Sequence, residues 1–136
     1  MRPSQFIGYT LLQTSAITSL VGSRVINSVI PPSSSLSALP AINYYEVGGR
    51  EHNGIGEKNF TINSRASTAD GAEILGDLII HILNGSNGMG IFGAMNGFDA
   101  ARLSLINIAG LIYEDSTGWY NYPVDIKMVY ALDTVS

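Results

Sequence analysis

Cysteine is absent from this 136-residue chain. That removes disulfides, thiolate nucleophiles and Cys-ligated zinc together. Charge is scarce: Asp, Glu, Lys and Arg make up 13% of residues, about half of the roughly 25% usual in soluble domains. Lys and Arg number 7 against 11 Asp and Glu, a net charge of −4, which argues against the basic footprint of a dedicated nucleic-acid binder. No apolar run approaches the ~18 residues of a membrane-spanning helix. The start, Met1-Arg2-Pro3-Ser4, lacks the basic-then-apolar layout of a secretory signal. What remains is a chain that is 46% hydrophobic, with a mean hydropathy of +0.20. Its surface must be covered by Ser, Thr, Asn and Gly rather than by charge. Permanent protein–protein interfaces are depleted in charge in the same way, so the composition favours an assembly subunit over a free monomer. The length predicts one domain, burying roughly two thirds of its unfolded surface.

Residues 4–20 fit an amphipathic helix with Ser4 as N-cap and Gly22 as its stop. Phe6, Tyr9, Leu12, Ala16, Ile17 and Leu20 form its apolar stripe, with Ile7 and Leu11 outside it. Val25 to Ile30 reads as a short strand, and Pro31 to Pro40 as a loop. Ala41–Val47 and Lys58–Ala66 read as paired antiparallel strands. Between them, Gly48 to Glu57 carries four glycines and several charges and reads as a long, mobile hairpin arm. The spacing predicts a helix over 69–84, opened by a capping box at Ser67 and Asp70. Its apolar face is Ala72, Leu75, Leu78, Ile79, Ile82 and Leu83; Glu73, Asp77, His81 and Asn84 face away. Gly85 to Gly97 reads as a flexible glycine-rich loop. Phe98 to Asp115 reads as two short strands broken at Gly110, and Ser116-Thr117-Gly118 as a turn. Trp119 to Leu132 reads as a long strand with Tyr120, Tyr122, Val124, Ile126, Met128, Tyr130 and Leu132 on one face. Pro123 suggests an edge or a bulge. The expected fold is α+β: an antiparallel sheet with two helices packed on one face, in a single domain, 1–136.

Few residue patterns point to chemistry. Gly88-x-Gly90-x-x-Gly93 has the glycine spacing of a dinucleotide fingerprint, but it follows a helix and no βαβ unit surrounds it. Glu73, Asp77 and His81 line one helix face at i, i+4 and i+8, with no second segment to complete a metal shell. Nucleophilic catalysis would need a base, and only His52 and His81 supply imidazoles. Glu114-Asp115 adjoins a turn, where acidic residues are ordinary. Tyr44, Tyr45, Tyr120, Tyr122 and Tyr130 have the aromatic density of a base-stacking platform but lack interleaved cations. No catalytic, cofactor or metal site is expected. The polar tip of the arm, with Arg50, Glu51, His52, Asn53 and Glu57, is the candidate contact surface for a partner.

The order of segments carries a resemblance. A helix ends in Leu20-Val21-Gly22-Ser23-Arg24-Val25, a Pro-rich link follows, and then comes Leu39-Pro40-Ala41-Ile42-Asn43-Tyr44. A charged glycine loop, a second strand, a central helix, an acidic turn and a closing strand from Val124 to Leu132 complete it. This layout resembles the tail-terminator or tail-completion proteins of long-tailed bacteriophages, with the glycine segment 85–97 as a departure. The resemblance implies a non-enzymatic virion protein, placed in the tail or neck and in host cytoplasm during assembly. It implies a ring, commonly a hexamer, that caps the tail tube and joins tail to head. Its partners would be its own copies, the tail tube protein and the head-closure or connector protein. Sequence-specific nucleic acid and membrane would not be among them, though DNA would pass through the ring. The alternatives are another neck or head-closure adaptor, or a small-molecule-binding enzyme.

Overall fold

The computed structural model describes residues 2–28, 39–84, 91–95 and 98–132. In chain order its elements are α1 (Pro3–Leu12), α2 (Ser15–Val21), β1 (Val25–Asn27), β2 (Ala41–His52) and β3 (Ile55–Ala66). They continue with α3 (Ala69–Asn84), β4 (Ile91–Met95), β5 (Phe98–Ile108), β6 (Ile112–Glu114) and β7 (Trp119–Ala131). Six strands follow the order β1-β2-β3-β7-β5-β4, and β6 pairs with β7 beside that path. The sheet is mixed rather than purely antiparallel, because β1 runs parallel to β2. There are three helices among the described residues, where two were expected.

The additional helix comes from a break at Gln13-Thr14. Thr10 donates its hydroxyl to the Phe6 carbonyl at 2.8 Å and Thr14 to the Thr10 carbonyl at 3.1 Å. Such back-bonding draws carbonyls out of the helical ladder and bends helices. The break re-aims the apolar residues. Phe6, Ile7, Leu11, Ile17 and Val21 are buried, whereas Tyr9, Leu12, Ala16 and Leu20, expected in the core, are exposed. The helix starts two residues earlier than the Ser4 cap implies, with Arg2 as its N-cap and Pro3 in its first turn. Pro belongs there, since its missing N–H has no intrahelical partner in any case. The Gln5 side chain accepts the Arg2 N–H at 2.7 Å. Gly22 ends α2 at a φ of 60°.

β1 is shorter than Val25–Ile30. Residues 29 and 30, residues 31–38 of the loop expected at 31–40, and residues 85–90 and 96–97 of the expected glycine loop lie outside the described residues. Within that glycine segment, 91–95 form β4 against β5 instead of a loop. β5 and β6 divide at Gly110, whose φ is 83°, although β5 is long rather than short.

α3 spans 69–84 as its periodicity predicts. Its cap is Thr68 rather than Ser67: the Thr68 hydroxyl accepts the Gly71 N–H at 3.0 Å. Ala72, Leu75, Ile79 and Leu83 are buried, and α3 packs on β3, β7 and β5. β7 presents Val124, Ile126, Met128 and Tyr130 to the same core cluster, joined by Phe60, Ile62 and Leu103.

Pro123 is not on an edge. β7 is flanked by β3 on one side and by β5 and β6 on the other. The Pro123 carbonyl accepts from Ala109, so its missing N–H faces the gap between the end of β5 and the start of β6. No ladder bond is lost where the neighbouring strand changes.

Arg24 ties the helical layer to the sheet. Its Nε donates to the Pro40 carbonyl at 2.9 Å, and its own carbonyl accepts the Ile42 N–H at 2.9 Å.

The arm of 48–57 departs most from expectation. β2 and β3 stay paired out to His52 and Ile55, leaving a two-residue turn at Asn53-Gly54. Asn53 has φ 49° and Gly54 φ 78°, the pair of positive angles of a type I′ hairpin turn, which matches strand twist. β3 is also paired with β7 out to Ile55↔Ala131, and the Leu132 N–H donates to the Gly54 carbonyl at 2.9 Å. The hairpin is therefore the end of the sheet, closed by a tight turn, rather than a long loop. Gly54→Ala is expected to lower stability by about 1–2 kcal/mol, because Ala resists this left-handed backbone. Nothing crowds the site, so urea unfolding should show a lower midpoint with an unchanged slope.

Candidate functional site

Strand pairing places the five candidate residues on two faces of one hairpin. Arg50 lies directly opposite Glu57, and His52 opposite Ile55. Arg50 Nε donates to Glu57 Oε2 at 2.8 Å, with the Arg50 side chain 77% exposed. The hydrogen bond from Arg50 holds the Glu57 carboxyl below its ordinary range, and the same bond raises the Arg50 guanidinium. Solvent screens such a pair heavily. Asn53 Nδ2 and His52 Nε2 lie 3.1 Å apart beside the turn. Glu51 falls on the opposite face, with Glu46 and Lys58. There Lys58 donates to Glu46 at 2.7 Å, and that bond raises the Lys58 ammonium.

Arg50, Glu51, His52 and Glu57 line a shallow cavity of about 360 Å³ together with Ile55. Asn53 sits outside it. A second hollow of about 530 Å³ lies where the start of α1 meets the hairpin, lined by Arg2, Ser4, Glu46, Glu51, Lys58 and Tyr130. Both are open and lined by side chains of both charges. The arrangement suits reciprocal polar contacts with another protein surface. Among the described residues no group of three or more His, Asp or Glu is set to hold a metal, and Glu73, Asp77 and His81 are exposed on α3.

Of the tyrosines singled out in the sequence, Tyr44, Tyr120, Tyr122 and Tyr130 are engaged in packing. Tyr44 is buried with its hydroxyl against the backbone of Gly8, and burial raises its pKa above the ordinary phenol value despite the Gly8 hydrogen bond. Tyr122 lies under Gly76, where a Cβ would overlap its ring. The rings of Tyr113 and Tyr120 meet at a tilt of 55° with centroids 5.1 Å apart.

The other face of the sheet holds a polar cluster that the sequence reading missed. Arg65 is 6% exposed, and its guanidinium makes a two-point contact with Glu114, at 2.8 and 3.2 Å. Arg65 also donates to Asn43 Oδ1, and Asn43 Nδ2 donates to the Ser28 carbonyl at 3.0 Å. Asn121 donates to Asn63 at 2.9 Å. The row thus ties β2, β3 and β6 to the residue that follows β1. Arg65 and Glu114 are 49 residues apart, so no local spacing announces them. The one available signal is an Arg within an otherwise uncharged strand half.

No protein-family model and no curated protein matches the chain. Among solved structures, a chain from the virion of a native gene transfer agent particle has a similar fold. The TM-score is 0.56 at 14% identity, covering 91% of this chain and 91% of that one. At that identity the likeness is one of fold.

Proposed function

We propose that this chain is a structural subunit of a phage-like virion: a ring-forming tail terminator that closes the tail tube and joins it to the head. The observation that carries the reading is the likeness over nine tenths of both chains to a component of a gene transfer agent virion. The scarcity of charge supports it independently, since a subunit buried among neighbours needs little. The subunit does no catalysis in this reading, and its work is complementarity between surfaces. The hairpin end, with Arg50, Glu51, His52, Asn53 and Glu57, meets the tail tube or the head-closure protein through paired polar contacts. The hairpin is already ordered by β7, so docking costs little conformational entropy.

The test is deletion of the gene in a particle-producing strain, with the full chain supplied in trans. Expected are unjoined heads and tails that the intact chain restores. Joined, infectious particles without the gene would overturn the proposal. Tails of uncontrolled length would point to the terminator, and normal tails beside leaking heads to a neck adaptor. A variant with Arg50→Ala, Glu51→Ala and His52→Ala should fold normally and fail to join particles.

A further inference from the structure

Two uncharged apolar surfaces lie on opposite flanks of the sheet. The first is the solvent side of the N-terminal helices. Tyr9 and Leu12 on α1, and Leu20 on α2, are 37–41% exposed, and Ala16 on α2 is exposed as well. Residues 3–21 contain no Asp, Glu, Lys or Arg. This layer sits at the β1 side, where α1 packs. The second surface is the stretch where β5 passes into β6. Ile106, Ile108, Leu111, Ile112 and Tyr113 are 37–53% exposed, and residues 103–113 carry no charge. β5 lies four strands from β1 in the sheet, roughly 19 Å at ordinary strand spacing.

The second surface is also an open edge. β4 pairs with β5 only as far as Leu103, and β6 pairs only with β7. Among the described residues nothing pairs the outer side of 104–108 or of β6. Natural edges are normally blunted by charge, bulges or short strands. The outer half of β2 follows that rule, with Glu46, Arg50 and Glu51 and a bulge between Glu46 and Gly48. The β5–β6 edge has a bulge near Ile106 but no charge from residue 103 to 113, and Glu114 at its end is already paired with Arg65. Its five side chains together expose on the order of 400 Å² of apolar surface, wrapped around the edge, since Ile112 and Tyr113 are successive strand residues and face opposite sides. That is about half of the ~800 Å² each partner gives to a stable interface.

We propose that these two surfaces are the halves of one head-to-tail interface, the helical flank of one copy docking on the β5–β6 edge of the next. A second copy is the occupant because each surface offers what the other needs, apolar contact without a charge to desolvate. Self-pairing through either flank alone would make a two-fold dimer and leave the other flank bare. Pairing unlike flanks covers both, and one contact repeated in this way generates a ring when the rotation between copies closes. This deepens the ring-forming reading above and rests on it.

The missing cysteines make the test clean. Full-length Leu12→Cys and Ile112→Cys chains, carrying tags of different mass, are mixed at high concentration and treated with a short bismaleimide. Both positions are exposed, so both variants should fold, which circular dichroism checks. The expected product is the mixed dimer, severalfold above either like-with-like dimer, and a double variant should give a ladder of higher species. Like-with-like dimers equal to or exceeding the mixed one, or monomer alone, would overturn the interface. Those results would leave the virion role standing, because that role is read from particles rather than from cross-links.

Discussion

Replacing Arg65 with Leu is expected to lower the free energy of unfolding by about 3–5 kcal/mol. Three acceptors lose their donor at once: both Glu114 carboxylate oxygens and Asn43 Oδ1. The Glu114 side chain keeps 20% of its surface exposed, so some water reaches it and the cost falls toward the lower end. Asn43 is fully buried and has no such relief. A domain is stable by only about 5–15 kcal/mol, so the variant should unfold at a visibly lower urea midpoint. A loss under about 1 kcal/mol would mean that the network contributes only what a solvated surface pair does.

The double variant Arg65→Leu with Glu114→Leu separates two meanings of that number. Breaking a buried pair from one side strands a charge, whereas replacing both members by apolar groups is often neutral. The double variant is therefore expected to recover much of the loss. It removes the only ion pair tying β6 to β3 among the described residues, and β6 belongs to the proposed docking edge. If the pair serves mainly to hold that edge in place, the double variant should fold stably yet cross-link poorly through Ile112→Cys.

Local pattern carried much of the fold. α3, β3 and β7 are legible because a 3.6-residue or two-residue period runs unbroken through each. The N-terminal helix misled for a physical reason: neither Gly nor Pro marks the break at Gln13-Thr14, and two Thr hydroxyls make it instead. A single period carried through that point puts Tyr9 and Leu20 inside and Ile7 and Leu11 outside. In the hairpin, glycine and charge content outweighed the Asn53-Gly54 pair, the stronger short-range sign of a tight turn. The parallel pairing of β1 and the Arg65–Glu114 contact depend on which distant segments meet, and that leaves no period to read. The contact surface is legible in the same uneven way. The charge deficit announces that a partner is needed, whereas locating the uncharged flanks requires knowing which apolar residues the core leaves out.

Leu75→Ala is expected to cost about 3–5 kcal/mol, the other large loss in this molecule. Leu75 has no exposed surface, and α3 lies across β3, β7 and β5. Part of the cost is the transfer of the lost methyl groups, and the rest depends on how far the surroundings close over the void. Collapse is restricted at this point of the helix. Gly76 already rests on the Tyr122 ring, so α3 cannot settle closer to β7 to fill the space. The loss should therefore fall in the upper part of the usual range, with an unchanged slope in urea. Glu73→Ala, Asp77→Ala and His81→Ala, on the exposed side of the same helix, should each stay within about 0.5 kcal/mol. A Leu75→Ala loss under about 2 kcal/mol would mean that the helix does move, and that the Gly76–Tyr122 contact does not set its height.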